Sequence, residues 1–184
     1  MTELIVDTLP TPNPDALMFK VEVPLVERGT YEYSSADKAA GSPLPARLFG
    51  LSGVEQVLVT SRFVTVNKLA EYGWPELVPA IKGLIRAHVS SGEPAIAETE
   101  AVEALDTSSP LAAQIAQLID EDIRPAVAMD GGDVQFVGIT DDHIVQVRLI
   151  GSCSTCPSST ATLAMGIERM IVEEFPDVQG VIQV

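Results

Sequence analysis

Ile144-Val-Gln-Val-Arg-Leu-Ile-Gly-Ser-Cys-Ser-Thr-Cys-Pro-Ser-Ser159 is the stretch on which the reading of this 184-residue chain turns. It opens as a strand: Val145, Val147 and Leu149 alternate with Gln146 and Arg148, so successive side chains face opposite sides. The strand runs directly into Gly151 and then into Cys153 and Cys156, the only two cysteines in the chain. Pro157 follows at once, and its missing N–H suits a first helical turn, where that donor would be unpaired anyway. Beyond it, Leu163, Ile167, Met170, Ile171 and Phe175 recur at helical spacing until Pro176 stops them. The cysteines therefore fall in a loop between a strand and a helix N-terminus, where free N–H groups and a partial positive charge favour thiolate over thiol.

Outward from this loop the second half is regular. Met129-Asp130-Gly131-Gly132-Asp133 predicts a turn, and Val134 to Ile139 predicts a strand antiparallel to Ile144–Ile150 across Thr140-Asp-Asp-His143. Ser109-Pro110 caps a helix carrying Leu111, Ile115, Leu118, Ile119 and Ile123 on one face, with a kink or stop expected at Pro125. Val178 to Val184 reads as a short closing strand.

In the first half, Pro10, Pro12 and Pro14 predict an ordered turn, and Phe19, Val21 and Val23 a strand with one buried face. Ser34 to Ser42 reads as a loop, and Pro43 to Phe49 as a short helix that ends at Gly50. Val54–Thr60 and Phe63–Asn67 are laid out as a hairpin, although Ser61-Arg62 lacks the favoured Asn-Gly chemistry and leaves the register open. From Pro75, Leu77, Ile81, Leu84, Ile85 and Val89 mark a helix, with Trp74 as a lid on the core. Ser90 to Ser109 holds Glu93, Glu98, Glu100, Glu103 and Asp106 with no Lys or Arg. That composition predicts a solvated linker, with a marginal helix over 95–105. The expected class is α+β: two small mixed domains, each a short sheet flanked by helices, at residues 1–89 and 109–184, joined by an acidic linker at 90–108.

Hydrophobic residues make up 46% of the chain, enough for real cores. With 26 acidic residues against 11 Lys and Arg, the net charge of -15 repels a phosphate backbone, so nucleic acid is not an expected partner. No apolar run reaches the roughly 18–20 residues that span a bilayer, and the N-terminus lacks the basic and apolar regions of a secretory signal. These features lead to the expectation of a cytoplasmic protein with reduced thiols.

A Cys-x-x-Cys pair has three readings: half of a metal or cluster site, a thioredoxin-like dithiol, or two inert buried thiols. A closed zinc or iron–sulfur site takes four protein ligands, and one chain supplies only two cysteines. His88, beside an apolar helical face, and His143, on a hairpin turn, each read as a packed or solvated imidazole rather than a ligand. Two chains meeting at a symmetric interface would supply four thiolates, enough for a 4Fe–4S cluster, and their separation would remove half the ligands at once. Against a dithiol–disulfide oxidoreductase stand the hairpin in place of a βαβ unit and Ser154-Thr155 between the cysteines. Inert thiols fit poorly beside Ser, Thr and Gly.

Asp130-Gly-Gly-Asp-Val-Gln-Phe-Val137, followed by Leu149-Ile-Gly-Ser-Cys-Ser-Thr-Cys-Pro-Ser-Ser159, resembles the C-terminal domain of NifU and of the Nfu-type iron–sulfur proteins. The family pattern is a DGGD turn, a hairpin and G-x-C-x-x-C-P-S-S, and every part is kept here. Thr11-Pro-Asn-Pro-Asp-Ala-Leu-Met-Phe19, Ser42-Pro-Leu-Pro-Ala-Arg-Leu-Phe49 and Gly53-Val-Glu-Gln-Val57 resemble the N-terminal Nfu domain. The resemblance implies a non-enzymatic scaffold or carrier. It would hold a 4Fe–4S cluster between two protomers, receive it from an upstream donor and deliver it to apo-proteins. On this resemblance Cys153 and Cys156 ligate the cluster iron. Gly151 and Pro157 shape the cysteine loop, while Asp130, Gly131, Gly132 and Asp133 shape the neighbouring turn without ligating. Nothing resembles the cysteine-rich N-terminal scaffold or the ferredoxin domain of full-length NifU.

Overall fold

The structure, a computed structural model, describes residues 4–97, 108–151 and 157–184. The chain divides into two compact units, Met1–Val102 and Glu103–Val184.

The first unit is an antiparallel sheet with helices over one face. Strands β1 (Val6–Pro10), β2 (Ala16–Val21), β3 (Tyr31–Tyr33), β4 (Val54–Val59) and β5 (Phe63–Lys68) lie in the order β1-β2-β5-β4-β3. Pro10 is tolerated because β1 is an edge strand, where a missing ladder donor is harmless. The β4–β5 hairpin forms in the register Val59↔Val64. In place of Asn-Gly, the Thr60 hydroxyl accepts the N–H groups of Arg62 (3.3 Å) and Phe63 (3.1 Å), so a side chain performs the work of the missing turn residues.

The expected loop at 34–42 contains a single-turn helix, α1 (Ala36–Ala39), capped by the Ser35 hydroxyl on the Lys38 N–H. Helices α2 (Pro43–Phe49) and α3 (Trp74–Ser91) lay Leu44, Leu48, Leu77, Ile81 and Ile85 against Phe19, Val21, Val57, Val59, Val64 and Val66. Full burial of such a side chain contributes about 1.5–3 kcal/mol, which is what holds helices of this length on the sheet. Trp74 packs beside this core, and its indole N–H donates to the Pro14 carbonyl at 3.0 Å.

The expected linker at 90–108 starts later than its composition indicates. Ser90 and Ser91 belong to α3, and Ala95 and Ile96 are buried in the first core. The Leu44 N–H donates to the Ala95 carbonyl (3.1 Å) and the Ala97 N–H to the Ser42 hydroxyl (3.1 Å). Residues 93–97 form a strap across α2, held at its head by the Arg47–Glu93 ion pair. Two apolar side chains outweigh the acidic composition around them. Most of the marginal helix expected at 95–105 lies outside the described residues, and Ala95 and Ile96 are not helical.

In the second unit α4 (Pro110–Leu118) starts on a Ser109 hydroxyl that accepts the Ala112 N–H. The helical path continues through a π-turn, Ile119–Ile123, into α5 (Arg124–Met129). Pro125 therefore neither stops nor ends the helix: the π-turn places it in the first turn of α5, where no N–H is required. Strands β6 (Gly132–Ile139) and β7 (Ile144–Gly151) pair antiparallel, α6 (Pro157–Glu174) crosses over, and β8 (Gly180–Gln183) pairs parallel with β7. The core gathers Ile115, Ile119, Ile123 and Val127 with Val134, Phe136, Val145, Val147, Leu149, Ile167 and Ile171. The α+β class holds: two short sheets, each flanked by helices.

Candidate functional site

Residues 152–156, and with them Cys153 and Cys156, lie outside the described residues, so the site is read from the structure on either side of the loop. Gly151 ends β7 and Pro157 begins α6, the strand-to-helix junction expected from the sequence. Gly151 has φ 80°, a left-handed backbone that an L side chain resists, so a glycine is required where the chain leaves the sheet.

The DGGD turn lies at the root of this loop. Gly132 is the cross-strand partner of Gly151, and Asp133 that of Ile150. The two motifs, far apart in sequence, thus share the last rungs of one ladder. Gly131, at φ 75°, turns the chain out of α5, its N–H donating to the Ala128 carbonyl while that of Asp130 donates to Val127. Both glycines of the motif are buried.

Asp133 is 2% exposed, and a carboxylate this buried needs partners. Its Oδ1 accepts from the Arg124 Nε at 2.9 Å and from the Val134 N–H at 2.7 Å. Arg124 also donates to the Val134 carbonyl (3.3 Å) and pairs with Asp120 at 2.6 Å. The guanidinium therefore covers the open edge of β6 while neutralising the one buried carboxylate among the described residues of that sheet. The sequence reading missed Arg124. The available signal was its isolation: no other Lys or Arg lies between residues 109 and 147.

The histidines have other roles. His143 sits at the opposite end of β7 from Gly151, about 25 Å away at ~3.3 Å per residue. Its ring Nδ1 donates to the Asp177 carbonyl at 3.0 Å and its own carbonyl accepts from Gln179, so it ties a turn in place. His88 belongs to the first unit, 2% exposed, with Nδ1 at 3.4 Å from an Arg47 nitrogen. A guanidinium can only donate, so Nδ1 accepts and the proton resides on Nε2, which is buried without a partner. Burial, followed by the Arg47 charge, lowers the His88 pKa below 6.5, against a smaller upward pull from Glu93. Of the two roles expected for each imidazole, packed or solvated, His88 is packed and His143 is exposed.

Among the described residues no three His, Cys, Asp or Glu side chains are grouped to hold a metal, and no helix is long and apolar enough to cross a membrane. The chemistry on offer is that of the donor set in the sequence. Two cysteines come just before Pro157 in the sequence, and Asp133, the buried carboxylate of the described second unit, is already committed to Arg124. Soft thiolates suit iron–sulfur chemistry; carboxylates suit it poorly.

Comparison with known proteins gives two family matches. Residues 115–182 match the NifU-like domain, and residues 6–92 match the N-terminal domain described as scaffold protein Nfu/NifU. NifU-like protein 5, mitochondrial, of Arabidopsis thaliana is 38% identical over 98% of this chain and 68% of its own length. The human NFU1 iron-sulfur cluster scaffold homolog, mitochondrial, is 40% identical over 98% of this chain and 72% of its own. A solution structure of a NifU-like protein from Saccharomyces cerevisiae aligns with 52% of this chain and 86% of that one, at 25% identity and a TM-score of 0.47. The cytoplasmic placement expected from the sequence is overturned by these relatives, which are named as mitochondrial. The criterion behind it, the missing secretory signal, tests one export route and does not distinguish between reducing compartments.

Proposed function

Because this chain belongs to the NifU-like family, with an Nfu N-terminal domain ahead of a NifU-like one, we propose that it is an iron–sulfur cluster scaffold and carrier rather than an enzyme. In this reading Cys153 and Cys156 are the iron ligands. Two chains contribute two thiolates each to one shared 4Fe–4S cluster, which is taken from a donor and passed to apo-proteins. The cluster is cargo: its release follows from a ligand set that is halved when the protomers part.

The observation that carries the reading is the Gly132↔Gly151 pairing. It brings the DGGD turn to the root of the cysteine loop and makes one rigid frame of the two motifs that define the family. Arg124 and Asp133 fasten that frame, and Gly131 and Gly151 supply the two left-handed bends. Pro157 starts α6 directly after the second cysteine.

The test is anaerobic reconstitution with iron and sulfide. About four irons and four sulfides per two chains are expected, with a doubled mass in solution, and Cys153→Ser or Cys156→Ser should remove both. A double serine variant that retains the cluster would sink the assignment.

A second reading keeps some support. The sequence argument against a dithiol oxidoreductase rested on a hairpin replacing a βαβ unit and on Ser154-Thr155 between the cysteines; the second stands, yet β7, α6 and β8 do form a βαβ unit, with the cysteine loop at its first junction. Sustained insulin reduction by the apo-protein, without cluster uptake, would favour that activity over the scaffold role.

A further inference from the structure

The second unit, residues 103–184, carries 13 acidic residues against three Arg and no Lys, so two copies repel over most of their surface. One stretch escapes this. From Pro157 to Ile167, directly after the cysteine loop, α6 contains no charged residue. Ile167 and Ile171 turn inward to the core, whereas Ala161, Thr162, Met165 and Gly166 face solvent, Met165 being 72% exposed. Charge returns at Glu168, exposed but with its carboxylate accepting from the Val181 N–H on β8 at 3.4 Å, and then in the exposed Arg169–Glu173 pair at 2.8 Å.

Gly166 adds an independent observation. It lies mid-helix, where glycine weakens the helix relative to alanine. A Cβ built on it meets nothing within 4 Å, and its backbone is not left-handed. Nothing inside the described chain needs that side chain to be missing. A second backbone approaching closely would need it.

We propose that the uncharged face of α6, Ala161, Thr162, Met165 and Gly166, is where a second copy of this chain seats when two cysteine loops share a cluster. This rests on the scaffold reading. Two thiols per chain make a second copy necessary, and Met165 is eight residues into the helix that continues the loop, about 12 Å along its axis at ~1.5 Å per residue. A copy held through the loops arrives beside this face, on the stretch of α6 up to Ile167 that carries no charged residue.

The experiment uses the full chain, reconstituted anaerobically, with sedimentation mass followed over a dilution series. Met165→Glu should weaken the cluster-bridged dimer about tenfold or more, because two introduced carboxylates face each other. An equimolar mixture of Met165→Glu and Met165→Lys chains should recover the dimer. Gly166→Ala should raise the melting temperature of the apo chain and yet weaken the dimer, two effects of opposite sign that a merely structural glycine would not give. Ile182→Glu places the same charge at a 44% exposed position on β8, opposite Gln146 and about 17 Å along β7 from Gly151, and should leave the dimer unchanged. Wild-type dimerisation by both Met165→Glu and Gly166→Ala overturns the surface and leaves the scaffold reading intact. If wild-type chain takes up no cluster, or binds it without doubling its mass, the scaffold reading itself fails. Should Met165→Glu not fold, Gly166→Ala decides the matter alone.

Discussion

In the first unit every strand pairing is antiparallel and the body is closed on itself: the Thr60 turn joins β4 to β5, and the strap at 93–97 lies across α2. In the second, β7 has an antiparallel neighbour on one side and a parallel one on the other, and its end at Gly151 opens into the cysteine loop. The first unit places its buried polar groups between elements already packed, as where Tyr33 donates to the Ser42 hydroxyl. The second places its buried carboxylate, Asp133, at the root of the loop, where the partly exposed Arg124 pairs with it. The contrast separates a body built for closure from one built to hold two ends of a loop at fixed positions.

That contrast can be broken by substitution. The largest effect is expected from Ile85→Ala, which empties a fully buried position in the first core and should cost about 3 kcal/mol. In calorimetry only the first unit's transition should move, and equal shifts in both would show that the units are not energetically separate. Asp133→Ala should cost the second unit about 2 kcal/mol, below the usual loss for a fully buried pair because Arg124 is partly exposed. It should also quicken hydrogen exchange at Val134, whose N–H loses its acceptor; unchanged exchange would remove the ion pair from the frame. Gly151→Ala should cost about 1–2 kcal/mol through its left-handed backbone, felt in the second unit alone.

The smallest effect belongs to His88 and depends on pH. Its folded pKa is depressed, so the unfolded chain binds the proton more readily, and stability rises with pH between the two values. The first unit should hold this contribution in full above the unfolded value of 6.5 and lose it progressively below. His88→Gln should flatten that decline without altering the second unit. Loss of stability on raising the pH through the same range would contradict the assignment of Nδ1 as acceptor.

Much of this architecture is legible in the sequence because periodicity reports which face of an element is buried. Alternation in β7 and helical spacing in α6 suffice to put the cysteines between a strand and a helix. Periodicity does not name partners. The pattern of β8 identifies a strand but not its parallel seat beside β7, and nothing in Ser61-Arg62 shows that Thr60 would set the hairpin register. The strap was hidden because acidic composition describes an average, while two buried residues, Ala95 and Ile96, decide the outcome. At the candidate site the thiols were plain from their uniqueness. Arg124 was not, since an ion pair between a helix start and a buried strand residue leaves no periodic trace.

The parallel seat of β8 also sets an order of events during synthesis. β7 is complete at Gly151, but its second neighbour is not available until Gln183 has been added. At about 5–20 residues per second, that interval is about 2–6 s. The first unit, whose last core residue among those described is Ile96, can fold well before then. The cysteines are therefore synthesised ahead of the strand that completes the βαβ unit around their loop.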